Sequence, residues 1–542
     1  MINNYQFACN CNVSSDINLD EIPRNCPKVW ELLEKGLTVG IFQLDSPLGE
    51  IWSKKLKPKS IEDLTSLGAI LRPGCLNSEE SDGKSLTEHF CLRKNKLEES
   101  KCQFPALNEI LKDTYYVLIY QEQVLKIGQE IAGLSLQEAD EIRDIIAKKQ
   151  SDKIPKVREK FLNGCEKTKK VTKEESQKIF EWIEASQRYL FNKAHSNGYA
   201  ETTYDTAWMK VHFPLAFYLA KLIGAKNKID SQTTTKNLID EAKLFNIEFG
   251  LPDLRFIEKT FHINNNIIQF GICNIKGIGD SIFEKLKTGI KSFKEKYNKD
   301  ISKINFVNFV VKCCLPHFPD TSVIKLIQAG AMNWFKLTRN QMENEYNILT
   351  QLTKSERQLL IDKFGSKEYD NTIQLLKEIN KLKKDGGIIN KNNRLEFLNS
   401  YIKILETKDY RDSPLNIAYS EENLLGMSIT FQKIDACNLE DVNTTCKEFL
   451  LGKKGLMILG VDVEDLIERE IKRGNNAGKK MMSLKIRDNT GSLKAVAWSD
   501  VYEKYKNSLV EKNSVILEVE RARKKEDNTA IIRRIWNAKI IN

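Results

Sequence analysis

From Val29 to about Ile223 apolar residues recur at the three-to-four spacing of buried helix faces. Ile179, Phe180 and Ile183 mark one such face, and Ala207, Trp208 and Val211 another. Residues 1–27 ahead of them are polar and irregular, closed by Pro23 and Pro27. The Pro-Gly pair in Leu71-Arg-Pro-Gly-Cys75 breaks the helical rhythm that otherwise fills 28–225. Residues 226–265 read as a connector with short elements. The stretch IIQFGICNIKGIGDSIFEKL (Ile267–Leu286) then runs strand, glycine hairpin, helix, and opens a region spanning 266–336. Residues 337–415 are rich in Lys, Glu and Asn and predict a charged helical insertion with a solvated surface. A linker follows over 416–452.

After about Lys453 the rhythm alternates. GLMILGVDV, MMSLKIRD, GSLKAVAW, SVILEVERA and AIIRRIW are five short strand candidates, with SDVYEKYKNSLV as a helix before the fourth. Five strands with a helix between the third and fourth predict an OB-fold over 453–542. The expected fold class is a mainly α multidomain protein with a C-terminal OB-fold β-barrel.

The chain has 542 residues, enough for three or four domains with sizeable cores. No apolar run approaches the ~18 residues of a membrane span, and the N-terminus lacks a signal-peptide pattern. An intracellular protein is therefore expected, with no membrane partner. The net charge of +10 is compatible with a polyanionic partner and equally with a Lys-rich solvated surface. The twelve cysteines are scattered without a C-x-x-C pair, which fits reduced thiols better than structural zinc.

Three segments carry candidate chemistry. In NIKGIGDSIFEKL (Asn274–Leu286), Lys276, Gly277 and Gly279 have the pattern of a helix-hairpin-helix. There glycines let backbone approach a phosphate and the following helix aims free N–H groups at it. An ordinary glycine turn is the plain reading of the same residues. In the barrel, Trp498 and Trp536 could stack on bases while Lys479, Lys480, Arg487 and Lys494 meet phosphates; either tryptophan could equally belong to the core. In EADEIRDIIAKKQ (Glu138–Gln150), Arg143, Lys148 and Lys149 could converge on a triphosphate or simply line a solvated helix. Finally, FNKAHSNGY (Phe191–Tyr199) packs Asn192, Lys193 and His195 between aromatics. Lys193 and His195 can donate to phosphate oxygens, and Asn192 to a phosphate, sugar or base. The plain reading is a buried His beside a Lys whose stem lies along apolar surface.

Taken together, TVGIFQLDS (Thr38–Ser46), LRPGC, YVLIYQEQVLKIGQEIAGLSLQEADEIRDIIAKK (Tyr116–Lys149) and FNKAHSNGYAETTYDTAWMKVHFP (Phe191–Pro214) resemble the fingers of C-family bacterial replicative polymerases, the DNA polymerase III alpha subunits. QFGICNIKGIGD is similar to the helix-hairpin-helix region after the fingers, ENLLGMSIT (Glu422–Thr430) to the linker before the OB domain, and the last 90 or so residues to that domain. The resemblance implies fingers over 28–225, duplex binding over 266–336, and a role in template-directed DNA synthesis in the bacterial cytoplasm. It implies that Arg143, Lys148, Lys149, Asn192, Lys193, His195 and Arg72 face the deoxynucleoside triphosphate, and that Lys276, Gly277 and Gly279 grip primer–template DNA. A sliding clamp is a further partner of the family, although no convincing Gln-x-x-Leu-Phe-type peptide occurs near 340–420.

The departures shape the expectation. Asp144 stands where the family has a second arginine, and Arg188-Tyr189-Leu190 replaces Gly-Tyr-Gly. The family's palm carries three metal-binding aspartates, two of them as Asp-x-Asp, ahead of the fingers. This sequence contains no Asp-x-Asp; Asp462-Val-Glu464 is the nearest imitation, and Asp16 and Asp20 lie in the irregular leader without an evident partner. The expectation is a split polymerase in which a separate palm and thumb polypeptide supplies the aspartates and holds Mg2+, this chain being inactive alone. A phage source fits the Lys-, Asn- and Ile-rich composition. The competing expectation is a non-catalytic DNA-binding replisome subunit that retains fingers and OB domains.

Overall fold

The computed structural model describes residues 18–78, 82–187, 189–358, 368–384, 392–471, 475–522 and 528–541. Cys9, Cys11, Asp16 and Arg188 lie outside the described residues. The chain forms two compact units, 1–218 and 219–542.

The described part of the first unit is built of helices. α1 (Ile61–Ile70) starts at Ser60, whose side chain accepts from Asp63 N, and buries Leu64, Leu67 and Ile70. α2 (Gln121–Glu130) buries Val124 and Ile127. α3 (Leu136–Ala147) is opened by a reciprocal cap between Ser135 and Glu138 and buries Ile142, Ile145 and Ile146. α4 (Lys193–His212) runs 20 residues and buries Ser196, Ala200, Tyr204, Ala207 and Trp208. Small residues let these helices meet. A Cβ on Gly68 would lie 3.0 Å from Ser196 Oγ, and one on Gly128 would lie 2.8 Å from the Ala139 methyl. Ser196 Oγ donates to Thr65 O at 2.6 Å, so α1 and α4 are hydrogen-bonded as well as packed.

Past the helix Pro214–Ala225, the second unit continues with α5 (Ser231–Leu244), capped by Asp230. The stretch 226–265 thus holds a 14-residue helix, not merely a connector. Strands β1 (Phe249–Gly250), β2 (His262–Asn264) and β3 (Ile267–Gln269) form a small sheet in the order β1-β3-β2. A glycine turn leads from β3 into α6 (Asp280–Tyr297), followed by α7 (Asp320–Gln328) and α8 (Arg339–Thr350).

The charged segment differs from the solvated arm expected of it. α8 buries Met342, Tyr346 and Leu349, and its Arg339 forms a buried pair with Glu421 of α9 (Pro414–Leu425) at 2.7 Å. Glu421 also accepts from Ile429 N, Thr430 N and Thr430 Oγ1, so its carboxylate is fully engaged. The density of Lys, Glu and Asn in the stretch concealed the apolar positions that carry the packing.

The C-terminal barrel follows the sequence reading. Its strands are β4 (Met457–Glu470), β5 (Lys480–Asp488), β6 (Gly491–Ala497), β7 (Ser514–Arg521) and β8 (Ala530–Asn537), with α10 (Ser499–Tyr505) between β6 and β7. They close in the order β4-β5-β6-β8-β7, antiparallel except for β6 against β8. Leu459, Val461, Ile486, Leu493, Val515, Leu517 and Ile532 point inward and are buried. That closure and the intervening helix are the OB topology.

Candidate functional site

The site in the first unit is the opening turn of α4. Asn192 is its N-cap, and its side-chain oxygen accepts from His195 N at 2.8 Å. The residues before it are held by a parallel bridge between Tyr120 and Phe191. Phe191 N donates to Ile119 O and Gln121 N to Phe191 O, each at 2.9 Å. Gln123 fixes the other side of this bridge: its Oε1 accepts from Ile119 N and Tyr120 N, and its Nε2 donates to Thr114 Oγ1. The turn therefore rests on the start of α2.

From this base Lys193 and His195 stand exposed. Lys193 Nζ lies 5.6 Å from the centre of the Tyr120 ring, whose phenol is pushed up by burial and touches Ser66. The His195 ring sits between Phe191 and Tyr199, 5.6 and 4.3 Å away. His195 is thus not the buried core histidine of the plain reading. Both carboxylate oxygens of Glu122 lie 2.9 Å from Lys193 N and occupy the helix's first free donor. Glu122 escaped the sequence reading; its place in the first turn of the helix that opens at YQEQ was the available signal.

Two residues expected to touch nucleotide also have structural work. The Asn192 oxygen is taken by the cap, leaving its amide nitrogen to donate. Arg72 donates from Nη2 to Tyr189 O at 2.8 Å and lays its guanidinium 4.0 Å from the centre of the Phe191 ring. Burial lowers its pKa. Arg72 is therefore a clip holding the 189–191 segment.

The remaining expected cations form a second group on α3. Arg143 donates to Asp140 at 2.8 Å, and Lys148 pairs with Asp144 at 2.8 Å. The Asp144 carboxyl is lowered by its hydrogen bond to Lys148. Asp144 thus turns toward a cation of its own helix, and Arg143 and Lys148 are committed along the helix. Lys149 is exposed just past the helix end, with φ of 52°.

In the second unit the glycine hairpin has the expected form. Ile275 and Ile278 are buried while Lys276, Gly277 and Gly279 are exposed. Gly277 has φ of 84°, and Gly279 is the N-cap of α6 with open space where a Cβ would stand. Lys276 N donates to Leu424 O at 2.7 Å, and Lys325 Nζ lies 3.5 Å from Gly277 O.

On the barrel the outcome is mixed. Lys479 and Lys480 are exposed, Lys480 pairing with Glu468 at 2.6 Å. Lys494 is exposed and faces Lys485 across the β5–β6 ladder. Trp498 and Trp536 are both exposed, so neither is core. Arg487 corrects the expectation. It is 3% exposed and forms ion pairs with Asp240 of α5 and with Glu464 at 2.6 Å. Its outward strand position is roofed by α5, which the alternation of β5 alone could not reveal.

No group of three His, Cys, Asp or Glu side chains suited to a metal occurs among the described residues. Asp462 accepts from Lys433 N and Ser514 Oγ, and Glu464 is bound to Arg487, so the Asp462-Val-Glu464 pair is occupied within the fold. No helix among the described residues is long and apolar enough to cross a membrane.

A helical unit with a capped, cation-bearing helix turn, followed by a glycine hairpin and an OB barrel, defines a fingers-and-barrel module. Residues 1–169 match the family model of the bacterial DNA polymerase III alpha subunit finger domain. The DNA polymerase III subunit alpha of Aquifex aeolicus (strain VF5) is 31% identical over 506 residues, 93% of this chain and 38% of that protein. That of Thermus aquaticus is 26% identical over 546 residues, 96% of this chain and 39% of the relative. The chain is thus a relative of bacterial DNA polymerase III alpha subunits, corresponding to their fingers and C-terminal region. It spans under two fifths of the length of these two relatives.

Proposed function

We propose that the chain supplies the nucleotide-facing fingers and the DNA-holding elements of a replicative DNA polymerase. The observation that carries this reading is the first turn of α4. Lys193 and His195 stand exposed at the positive end of a 20-residue helix, on a turn pinned to α2 and capped by Asn192. An ammonium, an imidazole N–H and a helix N-terminus suit phosphate oxygens. Because Glu122 already holds Lys193 N, a triphosphate would meet the side chains first.

In the reaction so assigned, the primer 3′ hydroxyl gives up its proton to solvent and its oxygen bonds to the α-phosphorus of a deoxynucleoside triphosphate. The bond from that phosphorus to the β-phosphate bridge breaks, and pyrophosphate leaves. Lys193 and His195 offset charge on the leaving phosphates, and Arg143, Lys148 and Lys149 do so where they exchange their carboxylate partners for phosphate. The hairpin at Lys276, Gly277 and Gly279 holds the duplex backbone without reading sequence. Lys479, Lys480 and Lys494, with Trp498 and Trp536, offer contacts for a single strand. The described residues hold no carboxylate group that fits the Mg2+ ions of this chemistry. Palm carboxylates would hold them from outside this sequence, on a separate palm and thumb polypeptide in the arrangement we propose.

Primer extension tests this. The purified chain with magnesium and four deoxynucleotides should be silent alone and active with a palm-bearing polypeptide from the same source. Extension by the chain alone would contradict the assignment of the carboxylates elsewhere. One observation favours a second reading, a DNA-binding replisome part without nucleotide selection: Arg143 and Lys148 are spent on Asp140 and Asp144. DNA binding retained in a palm-supplied mixture that never extends would support it.

A further inference from the structure

A run of four rings leaves the Lys193 turn along the exposed side of α4. Phe191 contacts His195, His195 contacts Tyr199, and Tyr199 meets the Phe42 ring edge-on at 5.4 Å between centroids. The two outer rings, Phe42 and Tyr199, are 36% and 39% exposed. Single exposed aromatics need no explanation, but these two touch, and polar ties fix the backbone behind them. The Thr203 hydroxyl lies 3.2 Å from Phe42 O and 2.8 Å from Tyr199 O.

The loop carrying Phe42 is anchored further back. Lys210, fully buried on α4, donates to Leu37 O at 2.8 Å and Val39 O at 2.7 Å. Gly40 N donates to Asp45 Oδ1 at 2.9 Å, and Gln43 holds a left-handed φ of 62°. Beside Tyr199, a Cβ on Gly198 would have no atom within 4 Å, so the space there is open. A fixed, edge-on pair of exposed rings, Tyr199 one helical turn from His195, offers π surface beside an imidazole. That is the chemistry of a platform on which a base can stack.

We propose that Phe42 and Tyr199 form a stacking platform for a nucleobase, with Lys210 as the positioning residue that holds the Phe42 loop. The base belongs to the incoming nucleotide or to the first unpaired template residue. The proposal rests on the reading of the Lys193 turn as phosphate-contacting.

Photo-crosslinking to the full chain tests it with two probes. One is 5-iododeoxyuridine triphosphate; the other is a primer–template with 5-iododeoxyuridine at the first unpaired template position. A crosslink at Phe42 or Tyr199 is expected, and the probe that yields it identifies the base. Phe42→Leu and Tyr199→Leu should each weaken binding of that probe about tenfold, whereas Tyr199→Phe keeps it. Both positions are exposed, and circular dichroism checks that the variants fold. Leucine variants that bind and crosslink like the parent would overturn the platform, while a Lys193 dependence of nucleotide binding would leave the polymerase reading standing. Failure of the parent chain to bind either probe would overturn both.

Discussion

Arg487 and Asp240 form a two-point ion pair inside the second unit, with Nη2 donating to Oδ2 at 2.6 Å and Nη1 to Oδ1. It ties α5 to the outer face of the barrel, and Ser492 Oγ donates to the same carboxylate at 2.8 Å. Removing one member of a buried pair leaves the other charge without its partner. Asp240→Ala is expected to cost about 3 kcal/mol, read as a lower urea midpoint. The double substitution Asp240→Leu with Arg487→Met should cost clearly less than the two single changes added together. Simple additivity would show that the pair is not coupled.

Glu464 makes the same cluster sensitive to acid. Burial alone would raise its carboxyl, but Arg487 and Lys485 outweigh that and hold it at about 2. Its folded pKa lies below the unfolded value, so its contribution is full above about pH 4.5 and fades as pH falls toward 2. The contribution is roughly 3 kcal/mol, from a shift of about two and a half pH units. Chemical denaturation of Glu464→Gln across this window should show a flatter acid limb than the parent. Parallel limbs would remove Glu464 from the linkage.

Asn192 can be separated from nucleotide chemistry by its capping role. Asn192→Ala should lower stability by about 1 kcal/mol, and Asn192→Ser, which can still cap, should recover most of it. Thermal unfolding is the check. Equal losses in both variants would mean that the cap contributes little and that another role constrains the position.

The two hairpin glycines should behave differently. At Gly277 φ is 84°, so Gly277→Ala strains the turn by about 1 kcal/mol. At Gly279 φ is −91° and the space is open, so Gly279→Ala should leave stability unchanged. If duplex backbone approaches there, Gly279→Ala still weakens duplex binding several-fold, and the parent's affinity falls steeply with salt. Duplex affinity indifferent to both the added methyl and salt would exclude the hairpin from the DNA contact.

The barrel was legible because its evidence is local. Period-two alternation and the SDVYEKY helix lie within single segments, and the inward set Leu459, Val461, Ile486 and Leu517 follows from them directly. Arg487 was misread because β5 places it outward and only α5, more than 240 positions earlier, covers it. The ties that hold Arg72 were hidden for a related reason: Tyr189 O and the Phe191 ring are remote from it in sequence. Asn192 carried two signals, a donor in a phosphate-like motif and a helix start, and the cap claimed its oxygen. Lys193 and His195 lie exposed on the first turn of α4, the segment that the motif set toward a nucleotide.

The measurement that bears most directly on the central claim is single-nucleotide incorporation by the palm-supplied assembly, comparing the parent with Lys193→Ala over a range of nucleotide concentrations. Loss of one phosphate contact should raise the nucleotide KM or lower kcat by about tenfold or more, equivalent to roughly 1.4 kcal/mol. Unchanged kinetics in the variant would remove Lys193 from the nucleotide site and contradict the account built on the first turn of α4.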